Sequence, residues 1–322
     1  MLQPGPSSER VALAVPHSLA ASRVHPRQDG EVTAIRLIAH RGASAAFPEH
    51  TRAAYLQAIA DGADGLEGDV HLTADRQLVL WHDATLDRTT DESGLLHERT
   101  IDELRAIDLM RGQAIPEDFG APEQQLLTLP ELIDIALASG RPLMLAIELK
   151  RPDPFGRELE RAVLDTLDAH HWDRRTGALG LLTVSLMSFD PGSVALLRTE
   201  VDPSLVMLLT GAVDPDEVAA IVASDPTLNE SEAALERERL TIALTAAIDL
   251  IDDGQVQGGP DIEWVREEPD RVRGWIERGL TVRVWTVDTL QDLEFCLELG
   301  ISEVTTNRPG ELRIALETGT IA

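Results

Sequence analysis

Lysine is all but absent from this chain: of 28 lysine and arginine residues in 322, one is a lysine, Lys150. Arginine is planar and forked, whereas lysine is a compact charge on a thin stem, so the two do not substitute for each other in a tight pocket. A compositional bias that removes lysine everywhere except one position marks that position for attention. Cysteine is equally scarce. The single Cys296 excludes an intrachain disulfide and, within the apolar pattern Leu290–Leu299, reads as a small core residue. Basic residues are outnumbered by 56 acidic ones, giving a formal charge of −28. That excess argues against nucleic acid or an anionic membrane as partner, since both require a basic face. It also means that a phosphate-bearing substrate needs local positive charge or a metal ion. No apolar run approaches the length of a membrane span. The stretch Val11–Val15 is too short for a signal-peptide core and is ended by Pro16, so a cytoplasmic location without stable membrane association is expected. Aromatics are few, at 3% of residues, which suits a helix-rich core of Ala, Leu and Val.

Short apolar runs recur along the chain, separated by helical patterns. Ile35–Ala39, Gly65–Val70, Leu78–Trp81, Leu143–Leu149, Leu181–Met187, Leu205–Leu209, Ala247–Ile251, Thr281–Val287 and Ile301–Thr305 are expected to be strands, most of them fully buried. Between them lie helix starts: Thr51 ahead of an apolar stripe, and the capping-box pairs Thr100 with Glu103 and Thr128 with Glu131. Such alternation implies a parallel sheet. About eight units, with no Gly-rich dinucleotide fingerprint after the first strand, favour a single (β/α)8 barrel of the TIM type over an open doubly wound sheet. Residues 1–33, rich in Pro, Ser and charge, read as a mobile tail preceding one barrel domain over 34–322. Residues 83–127 are long for a connection and are expected to hold a loop or small insertion over the C-terminal mouth. The acidic, Ala-rich run 214–239 reads as helix and loop without evident chemistry.

In such barrels the chemistry sits at the C-terminal ends of the strands. Those ends supply His40-Arg41-Gly42, then Glu67-Gly68-Asp69, then Trp81-His82-Asp83, then Glu148 and Lys150, and finally Trp285-Thr286 and Thr305–Pro309. Glu67 and Asp69, like Glu148 and Lys150, are two apart on a strand and project from one face. Three carboxylates buried together repel and partly protonate unless a cation holds them. All-oxygen ligation suits a hard divalent ion, Mg²⁺ or Ca²⁺, rather than zinc. Arg41 and Lys150 supply charge for an anion, and His40 and His82, expected at the ends of different strands, supply an acid and a base on opposite sides of a bound group. Metal ligands, cations and paired imidazoles together point to phosphodiester cleavage of a small molecule.

The segments His40-Arg41-Gly42, Pro48-Glu49-His50-Thr51, Gly62–Val70, His82-Asp83, Asp87-Arg88-Thr89-Thr90, Ile147–Lys150, Met187-Ser188-Phe189 and Trp285-Thr286 resemble, in that order, the glycerophosphodiester phosphodiesterase family. The resemblance spans roughly residues 35 to 315. It implies a TIM-type barrel that hydrolyses glycerophosphodiesters to glycerol 3-phosphate and an alcohol. It further implies His40 and His82 as the acid–base pair, Glu67, Asp69 and Glu148 as metal ligands, Arg41 and Lys150 as the phosphate clamp, and Trp285 as a wall for the glycerol moiety. Four positions depart from the family pattern. His50 stands where asparagine is usual, which alters what holds the loop after the first strand. Arg76 replaces the glycine of a Thr-x-Asp-Gly turn, Met187 the first serine of Ser-Ser-Phe, and Asn307 the aspartate of the final Thr-Asp-x-Pro. A lysophospholipase D or sphingomyelinase D-like activity on the same barrel would need an apolar loop for an acyl chain, and the candidate segment 109–127 mixes Leu109, Met110, Ile115 and Phe119 with polar residues. A catalytically silent barrel that binds phosphorylated ligands would show a broken position among the two histidines and three carboxylates, and none is broken. Leaving-group preference and oligomeric state have no sequence signal.

Overall fold

Alternating buried strands and amphipathic helices resolve, in a computed structural model of the chain, into eight parallel strands wrapped by helices. The structure describes residues 35–151, 153–211, 231, 234–235, 238 and 248–320. The expected tail over 1–33 and nearly all of the 214–239 run lie outside the described residues. The barrel strands are β1 (Arg36–Ala39), β2 (Gly65–Leu72), β4 (Leu143–Leu149), β6 (Leu182–Ser188), β7 (Val206–Thr210), β8 (Gln257–Pro260), β9 (Arg283–Val284) and β10 (Glu303–Thr306). They neighbour one another in the order β8-β7-β6-β4-β2-β1-β10-β9, while β3 (Leu78–Leu80) and β5 (Ala178–Leu179) pair antiparallel with β2 and β6 outside the ring. Two isolated parallel bridges, Gly258 with Val282 and Asp261 with Trp285, close the ring between β8 and β9.

The helices with described bounds are α1 (Arg52–Ala60), α2 (Ile101–Arg105), α3 (Leu129–Ala138), α4 (Glu158–Ala169), α5 (Pro191–Glu200), α6 (Ile262–Glu267), α7 (Pro269–Glu277), α8 (Leu290–Leu299) and α9 (Pro309–Glu317). The starts read from the sequence are real caps. The Thr51 hydroxyl accepts the Ala54 amide at 3.2 Å, and the carboxylates of Glu103 and Glu131 each accept the backbone amide of their Thr at 2.8 Å. Cys296 is buried, as expected of a core residue.

Two strand expectations are corrected. The strand expected over Ala247–Ile251 is not found in its described residues: 248–252 are helical, and the barrel strand follows at Gln257–Pro260. That strand carries almost no side chain because its surroundings are already full. A Cβ on Gly259 would fall 2.6 Å from Leu209 Cδ2, and one on Gly258 would meet the Trp275 ring at 3.1 Å. Leu78–Trp81 is a strand, β3 (Leu78–Leu80), but it pairs antiparallel with the overhanging end of β2 and takes no place in the ring. His82 therefore reaches the mouth from a returning hairpin rather than from a barrel strand. In the hairpin turn Arg76 adopts φ 61°, a conformation glycine takes without strain, and it is held there by stacking on Phe155 and by Glu158 at 2.8 Å. Residues 83–127 carry α2 and three single 3₁₀ turns around a second apolar cluster that includes Trp81, Leu86, Leu96, Leu104 and Leu109.

The barrel interior is layered. At the N-terminal end of the strands Arg283 and Glu303, both buried, pair at 2.8 Å, with Arg36 joining Glu303 and Ser185 bonding Arg283 at 3.2 Å. Above lies an apolar plug of Ile38, Ala146, Met187, Met207 and Leu209. The carboxylates sit at the opposite, C-terminal end, where barrel chemistry is placed.

Candidate active site

Strand register brings the acids together. β2 pairs with β4 so that Asp69 stands beside Glu148, and Glu67 lies two residues back on the same face. All three are buried, and one ligand oxygen from each lies within 4.8 Å of the others. Glu67 Oε2 accepts the Arg41 amide at 2.9 Å, but Glu67 Oε1 and Asp69 Oδ1 are buried without a hydrogen-bond partner among the described residues. Unsatisfied buried carboxylate oxygens are costly. Converging from two strands with only oxygen to offer, they fit a hard divalent cation. Their protonation says the same. Burial, reinforced by Asp69, pushes Glu67 well above the usual carboxylate range, and burial lifts Glu148 to about 8 despite Lys150. Burial would raise Asp69 too, but Lys150, His50 and Arg41 outweigh it and hold that carboxyl well below its ordinary value.

Both predicted clamp residues border this cluster. Lys150 Nζ lies 2.8 Å from Glu148 Oε1 and 3.8 Å from Asp69 Oδ1, on a stem that is 13% exposed. Arg41, with a left-handed backbone at φ 57°, places Nε 3.0 Å from Asp69 Oδ2, off the hydrogen-bond direction, and donates to Glu49 Oε1 at 3.2 Å.

The two histidines are held by unlike partners. His40 Nδ1 contacts Asn307 Oδ1 at 2.8 Å. The Asn307 amide nitrogen donates to Asp288 Oδ2 at 2.5 Å, which turns its oxygen toward His40. His40 must then carry its hydrogen on Nδ1 and leave Nε2 free as an acceptor. Burial, then the neighbouring Arg41, lowers His40 to about 3. His82 Nδ1 instead meets a carboxylate, Asp83 Oδ1, at 2.5 Å. Burial lowers His82 as well, while Asp83 opposes the shift. Arg88 donates to Asp83 at 2.6 Å and to Glu49 at 2.9 Å, so a chain of charge runs from His82 round to Arg41. Both imidazoles lie within electrostatic reach of Asp69 and Arg41. Trp285 follows the C-terminal end of β9, half-buried, its indole N–H given to Gly259 O at 2.8 Å and its ring edge-on to Phe189 at 5.4 Å, so only its apolar surface is available to a ligand.

All eight site residues read from the sequence thus gather at one end of the barrel. The supports were not found in advance. Asp288 and Asn307 are 19 residues apart, and the contact needs β9 beside β10. Glu49 and Arg88 lie inside the motifs quoted above, yet their pairing across 39 residues has no local signal.

Residues 40–311 match the glycerophosphoryl diester phosphodiesterase family. A Mycobacterium tuberculosis protein named "Probable glycerophosphodiester phosphodiesterase 1" is 33% identical over 284 residues, covering 88% of this chain and 93% of its own. Among solved structures, an Oleispira antarctica phosphodiesterase in complex with the product sn-glycerol-3-phosphate superposes with a TM-score of 0.64 at 22% identity, over 88% of this chain and 96% of that one. The glycerophosphodiester phosphodiesterase of Thermotoga maritima superposes with a TM-score of 0.60 at 19% identity, over 88% and 98%. These structures share the fold, and the family match covers the strand ends that carry the acids, cations and histidines. The chain belongs to the glycerophosphoryl diester phosphodiesterase family, whose members are phosphoric diester hydrolases.

Proposed function

We propose that this site hydrolyses glycerophosphodiesters to glycerol 3-phosphate and an alcohol, with a divalent cation, Mg²⁺ or Ca²⁺, held by Glu67, Asp69 and Glu148. The observation that carries the reading is the buried triad with two unpartnered oxygens, bordered by Arg41 and Lys150 and served by two histidines in different environments. When bound, the cation would polarise a phosphoryl oxygen and offset the charge of the diester. Arg41 and Lys150 would bind the other phosphoryl oxygens, Arg41 through two N–H groups at once. His40, with an acceptor Nε2 and a neutral amide behind it, would take the proton from the attacking oxygen. His82, backed by the Asp83 carboxylate, would give a proton to the departing alcohol oxygen as the P–O bond breaks. A carboxylate partner favours the charged imidazole and a neutral amide does not, which favours His82 as the acid and His40 as the base. The Trp285 ring, with no free donor, suits the carbon edge of glycerol. The product seen in the Oleispira structure supports the same product class here.

An acyl chain finds less support. Leu109 and Met110 are buried, and the half-buried Phe119 packs edge-on against Phe47 at 5.8 Å, which leaves little free apolar surface on these three side chains. The reading is tested on metal-stripped enzyme with glycerophosphocholine, glycerophosphoethanolamine, glycerophosphoglycerol and lysophosphatidylcholine, each with Mg²⁺, Ca²⁺ or Mn²⁺ restored. Release of glycerol 3-phosphate only after metal is added supports it. Full activity without metal, or turnover of lysophosphatidylcholine alone, would overturn it.

A further inference from the structure

We infer that His50, backed by Tyr55, is a positioning residue that orients the Asp69 carboxylate toward the divalent cation. The inference rests on the reading of Asp69 as a metal ligand. His50 occupies the position where the family pattern has asparagine, and the structure gives the imidazole two partners. His50 Nε2 lies 2.9 Å from Asp69 Oδ2, and Nδ1 lies 2.9 Å from the hydroxyl of Tyr55, the only tyrosine in the chain. An ionised carboxylate only accepts, so Nε2 carries a hydrogen and donates it. The ring is 4% exposed, which keeps water from competing for that bond.

Three further features lock the imidazole in place. The backbone at His50 is left-handed, φ 60°, and its amide donates to the Arg41 carbonyl at 3.0 Å, tying the loop to the residue beside the triad. The Tyr55 hydroxyl also reaches the Glu67 carbonyl at 3.1 Å, so one side chain anchors both His50 and the strand that carries two of the acids. Gly68, between those acids, leaves room for this approach: a Cβ there would stand 2.9 Å from the Tyr55 oxygen. With Asp69 Oδ2 occupied by His50 and faced by Arg41, its other oxygen, Oδ1, is left without a hydrogen bond among the described residues, in a carboxyl grouped with those of Glu67 and Glu148. An asparagine amide is shorter than an imidazole. From the same backbone it could not reach Asp69 and Tyr55 together.

Groups that orient ligating side chains change metal affinity by about 10- to 100-fold when removed. The test is calorimetric titration of the metal-stripped full chain with Mg²⁺, Ca²⁺ and Mn²⁺, alongside its metal-free melting temperature. His50→Ala should raise the metal Kd by about 10- to 100-fold. His50→Gln, whose amide can still reach Asp69, should recover most of that loss, and Tyr55→Phe should move Kd the same way by less. The Phe variant keeps the test decisive if the alanine variant does not fold. A wild-type Kd in His50→Ala or, should that variant not fold, in Tyr55→Phe, with only a lower melting temperature, would show a merely structural histidine and overturn the inference. Metal binding by wild type that survives Asp69→Asn, or its absence from wild type, would overturn the ligand reading itself, a separate result.

Discussion

Replacing the one lysine with arginine conserves charge and should nonetheless disable the enzyme. Lys150 Nζ sits against two acids, 2.8 Å from Glu148 and 3.8 Å from Asp69, on a stem that is largely buried. Burial lowers its tendency to hold a proton, but Glu148 and Asp69 more than compensate, so the ammonium is held charged. In Lys150→Arg the longer, planar guanidinium has two outcomes. It spans both carboxylates and competes with the divalent cation, or it swings outward and carries the bound phosphate away from the histidines. A misplacement of about 1 Å costs about 10²-fold in rate, which corresponds to about 2.7 kcal/mol of transition-state stabilisation. The assay is kcat/KM on the best glycerophosphodiester across a metal titration, with the melting temperature followed in parallel. The expected result is a loss of about 10²-fold, a raised metal requirement if the guanidinium bridges the acids, and an intact fold. An ordinary surface substitution stays within about 0.5 kcal/mol. Wild-type kcat/KM in Lys150→Arg would refute the tight-pocket argument, and with it the significance of the lone lysine.

His40→Ala and His82→Ala should each lower kcat by about 10²- to 10⁴-fold, the usual contribution of a positioned acid or base, and a wild-type kcat in either variant would make that histidine structural. Asn307→Asp places a carboxylate against the His40 Nδ1–H. A carboxylate favours the charged imidazole, so His40 should rise from about 3 and the acidic limb of the kcat/KM profile should move to higher pH; an unmoved limb would remove His40 from the base role. Glu148, raised to about 8, is largely protonated near neutrality in the metal-free protein, whereas a ligand must be ionised. The sign follows: metal binding at pH 7 should expel protons, and affinity should weaken as pH falls below about 8. Titrations in buffers of different ionisation enthalpy measure the protons released, and a buffer-independent heat would contradict the shift.

The residues of the candidate site could be read from the chain because barrel chemistry is tied to strand ends, and strand ends are local features. Glu67 and Asp69 lie two apart in one buried run, Glu148 and Lys150 two apart in another, and the side-chain period of two puts each pair on one face without reference to the rest of the molecule. The barrel followed from the alternation of apolar runs and capped helices. It failed where the strand had no apolar run: Gln257–Pro260 is a strand because Leu209 and Trp275 fill the space its side chains would occupy, which only the packed neighbours reveal. Tertiary structure alone decided how each group is tuned. Whether His40 faces an amide or a carboxylate depends on β9 lying beside β10, which brings Asp288 to Asn307. His82 reaches the mouth because β3 folds back on β2, and His50 reaches Asp69 because α1 presents Tyr55 over Gly68. Protonation depends on burial and on charges contributed by other segments, so linear order names the groups while the fold sets which are ionised, which donate and which are left open to a cation.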